Sequence, residues 1–245
     1  MVAKIIYIIS VVAECILVPL FIRYSYPERC KKSLILKSAA SVTFVVIGIC
    51  SILASGKFTS YSKFILIGLI FGLAGDVVIH LLTENRLITG CGGVLFFIGH
   101  IFYILAYGEA LNSYTPGAEV FDWRTVTVLL IVVFSCFIYY IIKDVKLGKL
   151  AVPILIYGIL ITLMLITAIQ VSGRFFLEGE NNDIAVIFTV GLGSVLFFLS
   201  DITFALIHFG GKEKNIPLRA FSSITYYTAQ ILLATSTMFI FGVQK

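Results

Sequence analysis

Apolar runs of about 20 residues alternate with short polar breaks along all 245 residues. An α-helix rises about 1.5 Å per residue, so a run of that length matches a hydrocarbon core about 30 Å thick. The breaks predict eight spans, near residues 4–22, 34–54, 63–82, 87–107, 124–142, 150–171, 186–209 and 219–241. The longest break, residues 108–123, holds Asn112, Pro116, Gly117 and Asp122, which is turn chemistry rather than a further domain. Met1–Arg23 has a long apolar stretch and no small-x-small cleavage site before Tyr24, so it reads as the first span and not as a leader. The pattern predicts an all-α, polytopic membrane protein whose residues 1–245 form a single transmembrane domain.

Composition strengthens that reading. Hydrophobic residues make up 60% of the chain and charged residues 13%, about half the charge of a typical globular protein. Mean hydropathy is +1.06. The net charge of +5 calls for no nucleic-acid partner, because Lys and Arg beside spans set membrane orientation. Breaks after spans 1, 3, 5 and 7 hold Arg23, Arg29, Lys31, Lys32, Lys37, Arg86, Lys143, Lys146, Lys149, Lys212, Lys214 and Arg219. Lys4, Lys57, Lys63, Arg124, Arg174 and Lys245 fall on the other side, which predicts that both termini lie outside the cytoplasm. The five cysteines (Cys15, Cys30, Cys50, Cys91 and Cys136) are scattered and odd in number, so neither a disulfide framework nor a zinc ribbon is expected. Cys30, in a basic juxtamembrane break, is a candidate for acylation.

Seven polar residues lie within or at the edge of spans: Glu14, Lys37, Asp76, His100, Asp201, Tyr227 and Gln230. A charge at mid-bilayer costs at least about 2.5–3.5 kcal/mol, so such residues are functional candidates by default. At about 1.5 Å per residue, Asp76 lies roughly 9 Å from the cytoplasmic end of its span, and Glu14 and Asp201 roughly 12 Å. Gln230 is about 16 Å in and His100 about 14–20 Å. Lys37 sits near the mouth of span 2. One polar slab in the cytoplasmic half accommodates them all, and a water-containing pocket there would lower the cost for each. The bland alternative is that Gln230 and Tyr103 bridge helices and that Glu14 is half of a buried pair with Lys37.

Spans 3 and 7 each carry one aspartate, Asp76 and Asp201, with His80 and His208 following on the same helix face. Four spans per half with parallel topology would explain the likeness, as would coincidence. Two carboxylates in a partly apolar pocket are pushed toward different protonation, which suits acid–base hydrolysis through an oxocarbenium-like state. The chain has no G-x-S-x-G, no H-E-x-x-H and no Gly-rich phosphate loop. Asp76-x-x-x-His80 with His100 and His208 leaves a zinc site as a minor alternative, although His80 and His208 are expected to be solvated or interfacial near the span ends.

Phe71-Gly72-Leu73-Ala74-Gly75-Asp76, Phe97-Ile98-Gly99-His100-Ile101-Phe102-Tyr103, Phe198-Leu199-Ser200-Asp201 and Tyr226-Tyr227-Thr228-Ala229-Gln230 resemble, in order, the motifs of the YhhN-like lysoplasmalogenase family. Lys37 is similar to a lysine of that family, with Ser38 where a proline is expected. The resemblance implies an eight-span enzyme that cleaves the vinyl ether of lysoplasmalogens without a cofactor or metal. Its products are a fatty aldehyde and glycerophosphoethanolamine or glycerophosphocholine. It implies Asp76 and Asp201 as catalytic residues, and Lys37, His100, Tyr103, Ser200, Tyr227 and Gln230 as the substrate-binding set. The expected partners are a lysophospholipid substrate and membrane lipids. The expected membrane is the endoplasmic reticulum in a eukaryote or the cytoplasmic membrane in a bacterium. Two other classes use the same slab differently: a lysolipid transporter or receptor, and a zinc-dependent intramembrane lipid hydrolase.

Overall fold

With no water to satisfy the backbone in hydrocarbon, runs such as these form helices. The computed structural model describes residues 2–26, 30–81, 86–114, 117, 126–128, 132, 151–178 and 183–240, and among them there is helix and turn but no strand. The helices are α1 (Val2–Tyr24), α2 (Lys31–Ser55), α3 (Ser60–His80), α4 (Arg86–Tyr114) and α5 (Ala151–Glu178). Next comes α6, which starts at Asp183–Val186, turns π-helical over Ile187–Leu192 and continues as Gly193–Phe209. The last is α7 (Ile216–Ser236).

Among the described residues six helices, α1 to α6, are long and apolar enough to cross a membrane. The protein is therefore an all-α integral membrane protein. The predicted fifth span, 124–142, lies outside the described residues apart from 126–128 and 132, which are helical. The predicted eighth span corresponds to α7. Its inner face carries Ser222, Thr225, Tyr226, Tyr227 and Gln230, all buried, so it is less apolar than the others because it points its polar side chains inward. Both α4 and α5 run seven residues past the predicted ends, to Tyr114 and Glu178. Apolarity marks the thickness of the hydrocarbon, whereas a helix continues until its backbone is capped.

Caps set several ends. Cys30 and Thr59 begin α2 and α3 with reciprocal bonds to Ser33 and Ser62, and Asn215 accepts from the Leu218 N–H at the start of α7. Gly56 closes α2 at φ 67°, a conformation costly for any residue with a Cβ. Along α1 the buried stripe is Ser10, Glu14, Val18 and Phe21, one face at helical spacing. Ile5, Ile8, Ile9, Val12 and Ile16 are exposed around it, as expected of a lipid-facing side.

Glycines bring α3 and α4 together. A Cβ at Gly99 would stand 3.3 Å from the Gly68 carbonyl, and one at Gly72 would stand 2.7 Å from Gln230 Nε2. Close backbone approach of this kind is how helices associate where lipid supplies no hydrophobic drive. Here it also makes room for Tyr103 and Gln230 beside the two motif helices.

Candidate functional site

On α2, Lys37 and Ser41 are one turn apart and face the same way. Both reach Asp76 on α3. Lys37 Nζ is 3.0 Å from Asp76 Oδ1, and the Ser41 hydroxyl donates to Oδ2 at 2.6 Å. From α7, the Tyr226 hydroxyl donates to the same Oδ2 at 2.7 Å. Gln230, one turn further on α7, donates its amide to the Tyr226 oxygen at 3.0 Å and accepts from the Tyr103 hydroxyl of α4 at 2.8 Å. Asp76 is thus fully enclosed, 1% exposed, and meets donors only. An ammonium and two hydroxyls are the partners a buried carboxylate requires to be retained as an acceptor.

The second carboxylate is dressed differently. Asp201 Oδ2 lies 3.2 Å from His100 Nε2 and accepts from the Tyr157 hydroxyl of α5 at 3.0 Å. The His100 contact is close but out of hydrogen-bond alignment, since Nε2 makes no bond of good geometry. The other ring nitrogen, Nδ1, is 2.7 Å from the Phe96 carbonyl. A carbonyl only accepts, so Nδ1 carries a hydrogen. Nε2 is thus the ring nitrogen turned toward Asp201. Asp201 is 13% exposed, more open than Asp76.

The two clusters share a wall. The Phe197 ring meets His100 edge-on at 4.7 Å between centroids and Tyr226 edge-on at 5.4 Å. Their construction follows one rule. Asp76 on the third span takes partners from the second and the last, and Asp201 on the seventh takes Tyr157 from the sixth and His100 from the fourth. Shifting every span by four converts one set into the other, as a four-plus-four parallel repeat requires.

The family model for the YhhN family matches residues 33–237. The chain belongs to the YhhN family. Neither a curated protein nor a solved structure matches it. The stretch matched to YhhN covers both carboxylate clusters and leaves all of α1 outside, including Glu14 and Phe21.

Of the site residues expected from sequence, Lys37, Tyr103 and Gln230 join the network on Asp76, and His100 joins Asp201. Tyr227 lies beside them with its hydroxyl 3.4 Å from the Lys37 carbonyl. The Ser200 hydroxyl bonds the Ser222 carbonyl and Ser222 returns the bond to the Ser200 carbonyl, a staple between α6 and α7 next to Asp201.

One alternative fails and one expectation needs correction. Glu14 does not pair with Lys37, because the ammonium goes to Asp76, and both Glu14 oxygens are buried without a hydrogen-bond partner. His80 is not solvated: it is buried, with Nε2 3.0 Å from the Ser33 hydroxyl and its ring edge-on to Phe21. His208 stacks on Phe204 with Nδ1 3.0 Å from the Phe204 carbonyl. Among the described residues no three His, Cys, Asp or Glu come together as a metal site.

Sequence reasoning missed Ser41, Tyr226 and Tyr157 as carboxylate partners. Two had a readable signal: Ser41 follows Lys37 by four positions and Tyr226 precedes Gln230 by four, so each shares a face with a residue already singled out.

Proposed function

We propose that this YhhN protein is a lysoplasmalogenase, hydrolysing the vinyl ether of a lysoplasmalogen to a fatty aldehyde and glycerophosphoethanolamine or glycerophosphocholine. The observation that carries this reading is the unequal dressing of two carboxylates, a buried one among donors only and a partly exposed one against an imidazole. Vinyl ether cleavage needs that inequality. An acid must protonate the outer vinyl carbon, and an anion must stabilise the oxocarbenium ion that results.

The Asp201–His100 pair is the proton donor in this scheme. Its proton goes to the β-carbon and the double bond becomes single. Positive charge then spreads over the α-carbon and the ether oxygen, facing the Asp76 side. Water adds to the α-carbon and returns a proton to Asp201–His100. The hemiacetal next loses its hydroxyl proton as the bond to the glycerol oxygen breaks, and that oxygen leaves protonated as the alcohol. One water is consumed and the acid is restored. Tyr157 orients Asp201, the chain Tyr103–Gln230–Tyr226 orients Asp76, and Lys37 balances the Asp76 charge.

The basic side of the bundle is cytoplasmic under this reading. Purified protein in detergent should release aldehyde from lysoplasmenylethanolamine with EDTA present. Asp76→Asn and Asp201→Asn should each lower turnover by roughly 10²–10⁴. Well-folded wild-type protein that binds the lipid and releases no aldehyde would make a transporter or receptor the better description.

A further inference from the structure

At the basic end of the bundle, between the end of α1 and the start of α7, a small cleft of about 40 Å³ opens beside the polar network. Phe21, Ser25 and Tyr26 line one side, and Arg219 and Ser223 the other. One guanidinium nitrogen of Arg219 donates to the Ser25 carbonyl at 3.0 Å. That bond fixes the side chain across the cleft and leaves most of its five N–H donors for another acceptor. Ser223 and Tyr26 add hydroxyls around the same space, while the Ser25 hydroxyl donates to the Ile22 carbonyl at 3.0 Å. Just before α7 the chain carries Lys212 and Lys214, so the approach to the cleft is positive.

Phe21 connects this cleft to the carboxylates. Its ring lines the cleft and stands edge-on to Tyr227 at 6.3 Å, while Lys37 Nζ lies 5.3 Å from its centroid. One aromatic ring therefore separates Arg219's cleft from the Lys37–Asp76 pair.

We infer that this cleft is the binding site for the phosphodiester headgroup of a single-chain phospholipid, with Arg219 as its phosphate ligand and Phe21 as the partition between headgroup and reacting bond. The inference rests on the hydrolase reading for the identity of the reacting bond, and not for the binding of phosphate. A fixed guanidinium with free donors and a rim of hydroxyls matches phosphate oxygens. In a lysoplasmalogen only the glycerol carbons separate the phosphate ester from the vinyl ether, so the two groups need adjoining compartments. A cleft one ring away from Asp76 provides the second.

The test uses the full-length protein in detergent and two lipids that no vinyl ether hydrolase can cleave. They are 1-O-hexadecyl-glycero-3-phosphoethanolamine and 1-O-hexadecylglycerol, which lacks the phosphate. Arg219→Gln should weaken binding of the first by roughly 10- to 100-fold, the span of a charge-assisted hydrogen bond, and leave the second unchanged. Ser223→Asp puts a negative charge in the cleft without touching the Arg219–Ser25 bond and should act in the same direction. With the vinyl ether substrate, Arg219→Gln should raise KM and spare kcat.

Equal effects of Arg219→Gln on both lipids, or none on either, would overturn the inference. So would displacement of the bound lysophospholipid by inorganic phosphate at similar concentration, which would assign the cleft to a free anion. If no variant releases aldehyde but phosphate-dependent binding still depends on Arg219, the hydrolase reading falls and the headgroup cleft stands. Aldehyde release with KM unmoved in Arg219→Gln gives the reverse result.

Discussion

Removing Lys37 exposes how far the buried network depends on charge balance. Asp76 is 1% exposed and Lys37 15%, so this pair sits where losing one partner is costly, about 3–5 kcal/mol for a buried ion pair. In Lys37→Met the carboxylate still receives the Ser41 and Tyr226 hydroxyls, and the partial exposure of Lys37 softens the loss. About 3 kcal/mol is therefore expected. Asp76→Asn keeps an acceptor for both hydroxyls and leaves an ammonium able to reach toward the mouth, so it should cost about 1–2 kcal/mol. The double variant leaves no unbalanced charge. It should cost about as much as Asp76→Asn alone, giving a coupling energy near 3 kcal/mol. SDS titration in mixed micelles, followed by circular dichroism, measures all three against wild type. Additive losses in the double variant would refute the argument, because they would show that neither side chain senses the other.

Tyr157→Phe removes the hydroxyl that orients Asp201 and should lower kcat about tenfold with KM little changed, whereas His100→Gln should cost roughly 10²–10⁴ in steady-state aldehyde release. Gly72→Ala places a methyl 2.7 Å from Gln230 Nε2, so it should displace that amide from Tyr226 and reduce turnover more than Gly90→Ala, whose Cβ would meet open space. Glu14 is buried beside Asp76 with both oxygens unpartnered; Glu14→Gln should keep or raise the melting temperature and retain activity, and a folded but inactive Glu14→Gln would make Glu14 a working group. The backbone N–H of Ser33 on Cys30 Sγ, helped by Lys32, holds that thiol below its usual range. Iodoacetamide should therefore alkylate Cys30 with a pH inflection below the value of about 8.5 for a free thiol, and a membrane-impermeant maleimide should reach it from the cytoplasmic side only.

Bilayer thickness made the spans readable, because it fixes the length of an apolar run independently of what the helix packs against. The same logic hid the helix ends of α4 and α5, which run seven residues past the predicted ends of their apolar runs. That Asp76, His100 and Asp201 stand out within their spans was legible, since a polar group among apolar neighbours is costly in lipid. Azimuth was not. Glu14 and Lys37 share a slab, yet Lys37 and Ser41 face α3 together and give the ammonium to Asp76. Nothing in one dimension decides between those partners. Ser41, Tyr157 and Tyr226 escaped notice because serine and tyrosine are cheap in a membrane and common in helix contacts. Their role follows only from which carboxylate they touch. Arg219 read as one more orienting positive charge, and its bond across to the end of α1 became visible only when the first and last helices were seen side by side.

The most direct test of the central claim is hydrolysis in D2O. Purified protein is given a lysoplasmalogen, and the aldehyde is trapped as it forms, before its α-hydrogens exchange. Proton delivery to the vinyl carbon predicts one deuterium at the aldehyde's α-carbon in each molecule released, and release slowed by roughly 10²–10⁴ in Asp201→Asn. Aldehyde released without deuterium, or no aldehyde from folded protein, would contradict it.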